Sequence, residues 1–80
     1  MQWLWHELRF ARVLDALPGD CGRVLDIGCG PGTFLGRVLP ARRRFTEAVG
    51  IDVDPAQVEF ARTNFGSART HFHLGELASL

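Results

Sequence analysis

The chain has 80 residues, enough for one small domain, and its 46% hydrophobic and 22% charged residues exclude a disordered or low-complexity protein. Nine arginines are balanced by nine acidic residues, so the zero net charge gives no reason to expect a nucleic acid or a membrane as partner. No apolar run is long enough to span a bilayer and no signal peptide is recognisable, so we expect a cytoplasmic location.

The first predicted element is a helix within residues 1–20, ahead of a core formed by residues 21–80. Apolar residues recur at helical spacing from Trp3 to Leu17, and Pro18 ends the pattern. We expect this helix to pack against the sheet that follows, and the whole chain to form a single, partial domain.

Three strands are predicted. Arg23 to Ile27 is a short, apolar run with β-branched residues, bounded by Gly22 and Gly28. Thr46 to Ile51 is the second strand and ends at Asp52, and Thr70 to Leu74 is the third and is followed by Gly75. A short helix from Thr33 to Leu39 is expected to stop at Pro40, followed by an arginine-rich, solvated connection over residues 40–44. The next helix has Asp54 as N-cap, Pro55 at its first position and Gln57 as the reciprocal member of a capping box.

Strands that alternate with helices over short links indicate an α/β fold with right-handed crossovers. We therefore predict a Rossmann-like three-layer sandwich, with a truncated parallel sheet of strand order 3-2-1 and flanking helices. The free side of strand 1 would then be an open apolar edge, which favours self-association or a partner strand.

Three acids lie near the carboxyl ends of the predicted strands, where parallel sheets bind their ligands, namely Asp26, Asp52 and Glu76. Asp52 follows Gly32 by 20 residues, the interval at which such folds place an acid for ribose hydroxyls. A glycine-rich turn over residues 28–32 lets a ligand approach the backbone, and its amide N–H groups are expected to be free for an anion.

Two nucleoside cofactors compete for this pattern. The dinucleotide fingerprint G-x-G-x-x-G needs glycine where this chain has Thr33, so NAD is disfavoured. Asp26 beside the turn suits a ligand with an ammonium and a sulfonium, which is S-adenosylmethionine. Cys21 and Cys29 are too far apart along a strand to form a disulfide, and we expect no metal site.

Three segments resemble motifs of the class I S-adenosylmethionine-dependent methyltransferases. Residues 24–32 read Val-Leu-Asp-Ile-Gly-Cys-Gly-Pro-Gly and resemble the first motif of that family. Residues 50–55 read Gly-Ile-Asp-Val-Asp-Pro and resemble the second. Residues 72–76 read Phe-His-Leu-Gly-Glu and resemble the third, in which Asp is more usual than Glu.

The resemblance implies a role for each matched residue. The methionine part of the cofactor would be held by Asp26 and by the backbone of residues 28–32, a segment that contains Gly28, Cys29, Gly30 and Gly32. Asp52 would bind the ribose hydroxyls, Val53 would pack on the adenine, and Glu76 would accept a hydrogen bond from the adenine amino group.

The resemblance identifies the chain as the cofactor-binding half of a methyltransferase. A small molecule is the expected methyl acceptor, and no catalytic residue can be named because the family's acceptor-binding segments follow its third strand. One alternative is a non-catalytic truncated fragment, or an S-adenosylmethionine-binding module that needs a partner chain. The other is an NAD-binding Rossmann domain.

Overall fold

The computed structural model of the chain describes residues 13–75. Residues 13–16 are helical, as expected for the end of the N-terminal helix. The rest of that helix, including Trp3, and the third-motif acid Glu76 lie outside the described residues.

Three parallel strands form the sheet: β1 (Arg23–Ile27), β2 (Glu47–Asp52) and β3 (Thr70–Leu74). Their order is β1-β2-β3, with β2 in the centre. The predicted α/β fold and its strand order are therefore confirmed. β2 starts one residue later than predicted and includes Asp52, which pairs with Leu74 in the register of β3.

The helical segment after β1 differs from the prediction. Its first part, Phe34–Val38, is a π-helix that runs directly into the short helix α1 (Leu39–Arg42). The Leu39 N–H donates to the Phe34 carbonyl, an i to i−5 bond that shifts the hydrogen-bond register. Pro40 consequently falls in the first turn of α1, where its missing N–H costs nothing. The prediction that Pro40 ends the helix was wrong.

The last described helix, α2 (Pro55–Phe65), begins after the predicted N-cap Asp54 and has Gly66 as its C-cap. Its inner face is formed by Val58 and Ala61, which are buried. None of the helices within residues 13–75 has the length and apolarity that a membrane crossing needs.

The hydrophobic core lies between one face of the sheet and these helices. Its most deeply buried members come from the helices after β1 and from β2 and β3, and are Leu35, Leu39, Ala48, Val58, Ala61 and Phe72. Burying a side chain of the size of Leu35 or Phe72 contributes about 1.5–3 kcal/mol, so this small core depends on a few large residues.

Three arginine side chains connect separate elements by donating to backbone carbonyls. Arg43 Nη2 lies 2.7 Å from the Leu14 carbonyl, and Arg62 Nε lies 2.8 Å from the Phe72 carbonyl. Arg69 Nη1 lies 3.0 Å from the Phe45 carbonyl, and its guanidinium also lies over the Phe45 ring. The expected solvated arginine loop is therefore wrong for Arg43, which is half-buried and fixes the end of the first helix.

Within the described residues, β1 pairs with β2 alone, so its other side is an open edge. Two apolar side chains lie on this strand with half their surface accessible: Leu25 is 50% exposed and Ile27 is 54% exposed. An edge strand with unpaired backbone groups and exposed apolar side chains is a template for pairing with another chain.

We predict that the 80-residue chain self-associates at micromolar concentration and that Leu25→Lys weakens this association about tenfold. The reason is that half of a leucine side chain contributes roughly 1–1.5 kcal/mol when it becomes buried. Sedimentation velocity over a concentration series measures the effect. Phe60→Lys is the matched control, because Phe60 is 51% exposed but lies on α2. A stable monomer for the wild-type chain, or equal effects of both variants, contradicts the prediction.

Candidate functional site

The carboxyl ends of the three strands lie along one edge of the sheet, which we call the carboxyl edge. Backbone hydrogen bonds join the segments that leave them. The Gly28 and Cys29 N–H groups both donate to the Ile51 carbonyl, at 2.7 and 3.0 Å, and the Gly75 N–H donates to the Asp52 carbonyl at 2.9 Å. The end of β2 therefore holds the loop after β1 and the turn after β3.

The glycine loop, residues 28–32, needs its glycines for two different reasons. Gly28, Gly30 and Gly32 have φ angles of +75°, +57° and +85°, a region that side chains strongly disfavour. A Cβ at Gly28 or Gly30 would meet no atom within 4 Å, so these two glycines border open space. A Cβ at Gly32 would lie 2.9 Å from the Ala61 Cβ, so this glycine allows close packing on α2.

The carboxylate of Asp52 lies at the centre of the edge and accepts two backbone hydrogen bonds. Its Oδ2 lies 2.9 Å from the Gly30 nitrogen, and its Oδ1 lies 2.9 Å from the Asp54 nitrogen. The predicted capping box is therefore only half correct. The Asp54 carboxylate does accept from the Ala56 N–H, but the Asp54 N–H donates to Asp52 rather than to Gln57.

The pKa of the Cys29 thiol reflects the burial and the negative charge of the site. Its side chain is buried, and its thiol lies 3.6 Å from the Gly30 carbonyl. Desolvation by burial, followed by the negative charges of Asp26 and Asp52, raises the pKa of this thiol to about 11. Both carboxylates therefore act on the region under the glycine loop, and their combined charge favours a cationic ligand there.

Apolar side chains complete the edge. Val53 directly follows Asp52 and is 64% exposed, so it presents an apolar surface beside the carboxylate. Leu74 is 54% exposed and pairs in register with Asp52. Leu74 was not predicted to lie at the edge, because strand alternation places it on the same face as the buried Phe72, where a core position is expected.

The backbone N–H groups of the glycine loop, by contrast, donate hydrogen bonds within the protein. The N–H groups of Gly28 and Cys29 donate to β2, that of Gly30 donates to Asp52, and that of Gly32 donates to the Cys29 carbonyl at 3.1 Å. The expectation that these groups are free for an anion is therefore not met. The Cα atoms of the loop glycines border the open space, and two carboxylates lie near it.

One other feature lies apart from this edge. A depression of about 280 Å³ near the start of β3 has polar groups that bond within the protein, since Arg69 donates to Phe45, and Ser67 Oγ accepts from the Thr70 N–H. Within residues 13–75, no cluster of three or more His, Cys, Asp or Glu residues could hold a metal ion. In the same residues both cysteines are free thiols.

Comparison with known proteins links this arrangement to one enzyme family. A family model described as a methyltransferase domain matches residues 24–80. The chain is 41% identical over 76 residues to the 23S rRNA (uracil(1939)-C(5))-methyltransferase RlmD of Stenotrophomonas maltophilia (strain K279a). That match covers 90% of this chain and 16% of the relative, so the chain spans about a sixth of the relative's length.

Solved structures show the same similarity. An RNA methyltransferase from Salinibacter ruber in complex with S-adenosyl-L-homocysteine has a TM-score of 0.72 at 26% identity, over 89% of this chain and 48% of that one. CalS10, a SAM-bound amino pentose methyltransferase from Micromonospora echinaspora, has a TM-score of 0.64 at 32% identity, over 90% of this chain and 29% of that one.

The raised pKa of Cys29 predicts how stability depends on pH. Because the thiol ionises near pH 9 when unfolded and near pH 11 when folded, its contribution is complete below pH 9 and is lost as the pH rises to 11. We expect the free energy of unfolding to fall by about 2 kcal/mol over this range. Urea unfolding at pH 8, 9.5 and 11 measures the loss.

Tyrosine and lysine, which would also titrate between these pH values, are absent from the chain, so they do not contribute to the measured change. Cys29→Ser should remove the pH dependence, and Cys21→Ser should keep it. An equal loss of stability in both variants contradicts the assignment to Cys29.

Proposed function

The chain belongs to the class I S-adenosylmethionine-dependent methyltransferases, and we propose that its carboxyl edge binds S-adenosylmethionine as the cofactor-binding half of such an enzyme. One observation carries the proposal. Open space borders Gly28 and Gly30, and two carboxylates, Asp26 and Asp52, lie nearby. Their negative charge helps to raise the pKa of the Cys29 thiol. Such a site suits a ligand that carries a sulfonium and an ammonium group.

In the proposed complex each part of the cofactor has its own residues. Asp26 balances the ammonium group, and the backbone of residues 28–32 lines the methionine part through Gly28, Cys29, Gly30 and Gly32. Asp52 accepts hydrogen bonds from the ribose hydroxyls. Val53 packs on the adenine, and Glu76 accepts a hydrogen bond from the adenine amino group.

The same charges disfavour the alternative cofactor. A dinucleotide places a pyrophosphate against a glycine loop, where free amides and a helix N-terminus normally bind it. Here the loop amides donate within the protein, and two carboxylates lie nearby. Both features oppose an anionic ligand and support S-adenosylmethionine over NAD.

When bound, S-adenosylmethionine supplies an electrophilic methyl group carried by a sulfonium. The residues of this chain contribute by binding and orientation, because a direct displacement needs alignment of methyl and acceptor, which is worth up to about 7–11 kcal/mol in favourable models. No general base is assigned to a residue of this chain.

The zero net charge and the arginines bonded to carbonyls support a small-molecule acceptor. RNA is the second candidate, because the 41% identical relative is named as an rRNA methyltransferase. A module that binds the cofactor without catalysing transfer, and that needs a partner chain, is a further alternative. Binding without turnover of any added acceptor would favour that alternative.

Calorimetry with S-adenosylmethionine, S-adenosylhomocysteine and NAD tests the cofactor proposal. We expect the first two to bind, and Asp52→Ala to weaken their binding by about 1.5–3 kcal/mol, as for a hydrogen bond to a charged group. Asp20→Ala is the matched control, since it removes an exposed carboxylate that lies before β1 at the opposite edge of the sheet. Binding of NAD alone, or equal binding by the wild type and Asp52→Ala, overturns the proposal.

A further inference from the structure

Backbone hydrogen bonds hold the glycine loop in one shape before any ligand binds. Gly30 lies in the middle of the loop, between two other glycines with positive φ angles. Glycine loses more backbone freedom on ordering than any other residue, so this stretch needs specific bonds to hold one conformation. One of them runs from the Gly30 N–H to Asp52 Oδ2, at 2.9 Å, and is partly buried.

That bond joins the loop after β1 to the end of the adjacent strand β2. Asp52 lies 22 positions away from Gly30 in the sequence and ends the central strand β2. Its carboxylate is itself held by a second bond, in which the Asp54 N–H donates to Oδ1 at 2.9 Å. Hydrogen bonds to an ionised carboxylate are roughly twice as strong as bonds between neutral groups. The carboxylate therefore fixes the loop to a rigid part of the sheet.

The two bonds also leave capacity for a ligand. An ionised carboxylate has about four acceptor positions, and two are used here. Asp52 is half-buried, so part of its side chain is accessible. It can accept hydrogen bonds from ribose hydroxyls while it holds the Gly30 N–H.

We propose that Asp52 is a positioning residue for the glycine loop in addition to its proposed contact with ribose. One carboxylate thereby couples two parts of the site: it shapes the surface that faces the methionine moiety and receives the nucleoside. Loss of Asp52 then weakens binding of a ligand that has no ribose hydroxyls at all, which a contact with ribose alone does not explain.

Amide hydrogen exchange of the ligand-free chain tests the structural part of this proposal, independently of the proposed function. In Asp52→Ala the Gly30 amide should exchange at least about tenfold faster than in the wild type, as expected for loss of a charged hydrogen bond. The Ala48 amide, which donates to the Arg69 carbonyl within the sheet, is the reference for overall stability. Unchanged exchange at Gly30 overturns the proposal.

Asp54→Ala is the matched control for exchange. It removes a neighbouring carboxylate that accepts from the Ala56 N–H, but it keeps the backbone N–H that Asp52 binds, so exchange at Gly30 should not change. If Asp52→Ala does not fold, Asp52→Asn replaces it. The two donors reach different oxygens of Asp52, and asparagine replaces one of these oxygens by an NH2 group that cannot accept, so the Gly30 or the Asp54 amide must exchange faster. Wild-type protection of both amides overturns the proposal.

The second measurement rests on the proposed function and compares S-adenosylhomocysteine with its 2′,3′-dideoxy analogue. Loop positioning predicts that Asp52→Ala weakens binding of the analogue by roughly five- to tenfold, and that of S-adenosylhomocysteine by more. Equal affinity of the wild type and Asp52→Ala for the analogue overturns the coupling. Failure of the wild type to bind either ligand overturns the proposed function instead, while the exchange measurement still decides the role of Asp52 in the loop.

Discussion

The candidate site depends on the attachment of a loop rich in left-handed glycines to the end of the central strand. Two consecutive residues of β2 provide that attachment. The Ile51 carbonyl accepts from two amides of the loop, and the Asp52 carboxylate accepts from a third. Parallel pairing brings the ends of β1 and β3 to either side of β2. The open space, the two carboxylates and the exposed Val53 all follow from this arrangement.

A second constraint is the small size of the core. A domain this short buries a limited apolar area, so backbone groups at the ends of elements need other partners. Arginine serves this purpose well, because its planar guanidinium carries five donors at the end of a long side chain. Arg43 reaches the Leu14 carbonyl, Arg62 the Phe72 carbonyl in β3, and Arg69 the Phe45 carbonyl before β2. The chain has no lysine, and lysine would suit these contacts less well because it offers a single flexible ammonium group.

Much of the fold could be predicted because its signals are local. The apolar run between Gly22 and Gly28 predicted β1 to the residue, and the predicted bounds of β3 are also those observed. Asp54 followed by Pro55 predicted the start of α2. The failures depend on hydrogen bonds that the sequence pattern does not reveal. Pro40 is tolerated because of a register shift in the preceding turn, and Arg43 finds its acceptor at Leu14, 29 residues away. The motifs located Asp26 and Asp52, but the bond from Gly30 to Asp52 required the assembled sheet.

We propose that the glycine loop and the end of β2 form one cofactor site at the carboxyl edge. The most direct measurement is a titration of the ¹⁵N-labelled chain with S-adenosylhomocysteine, followed through the amide chemical shifts. We predict that the largest shifts occur in residues 28–32 and 52–54, with little change in residues 66–70 near the start of β3. Shifts concentrated in residues 66–70, or no saturable shifts at the carboxyl edge, would contradict it.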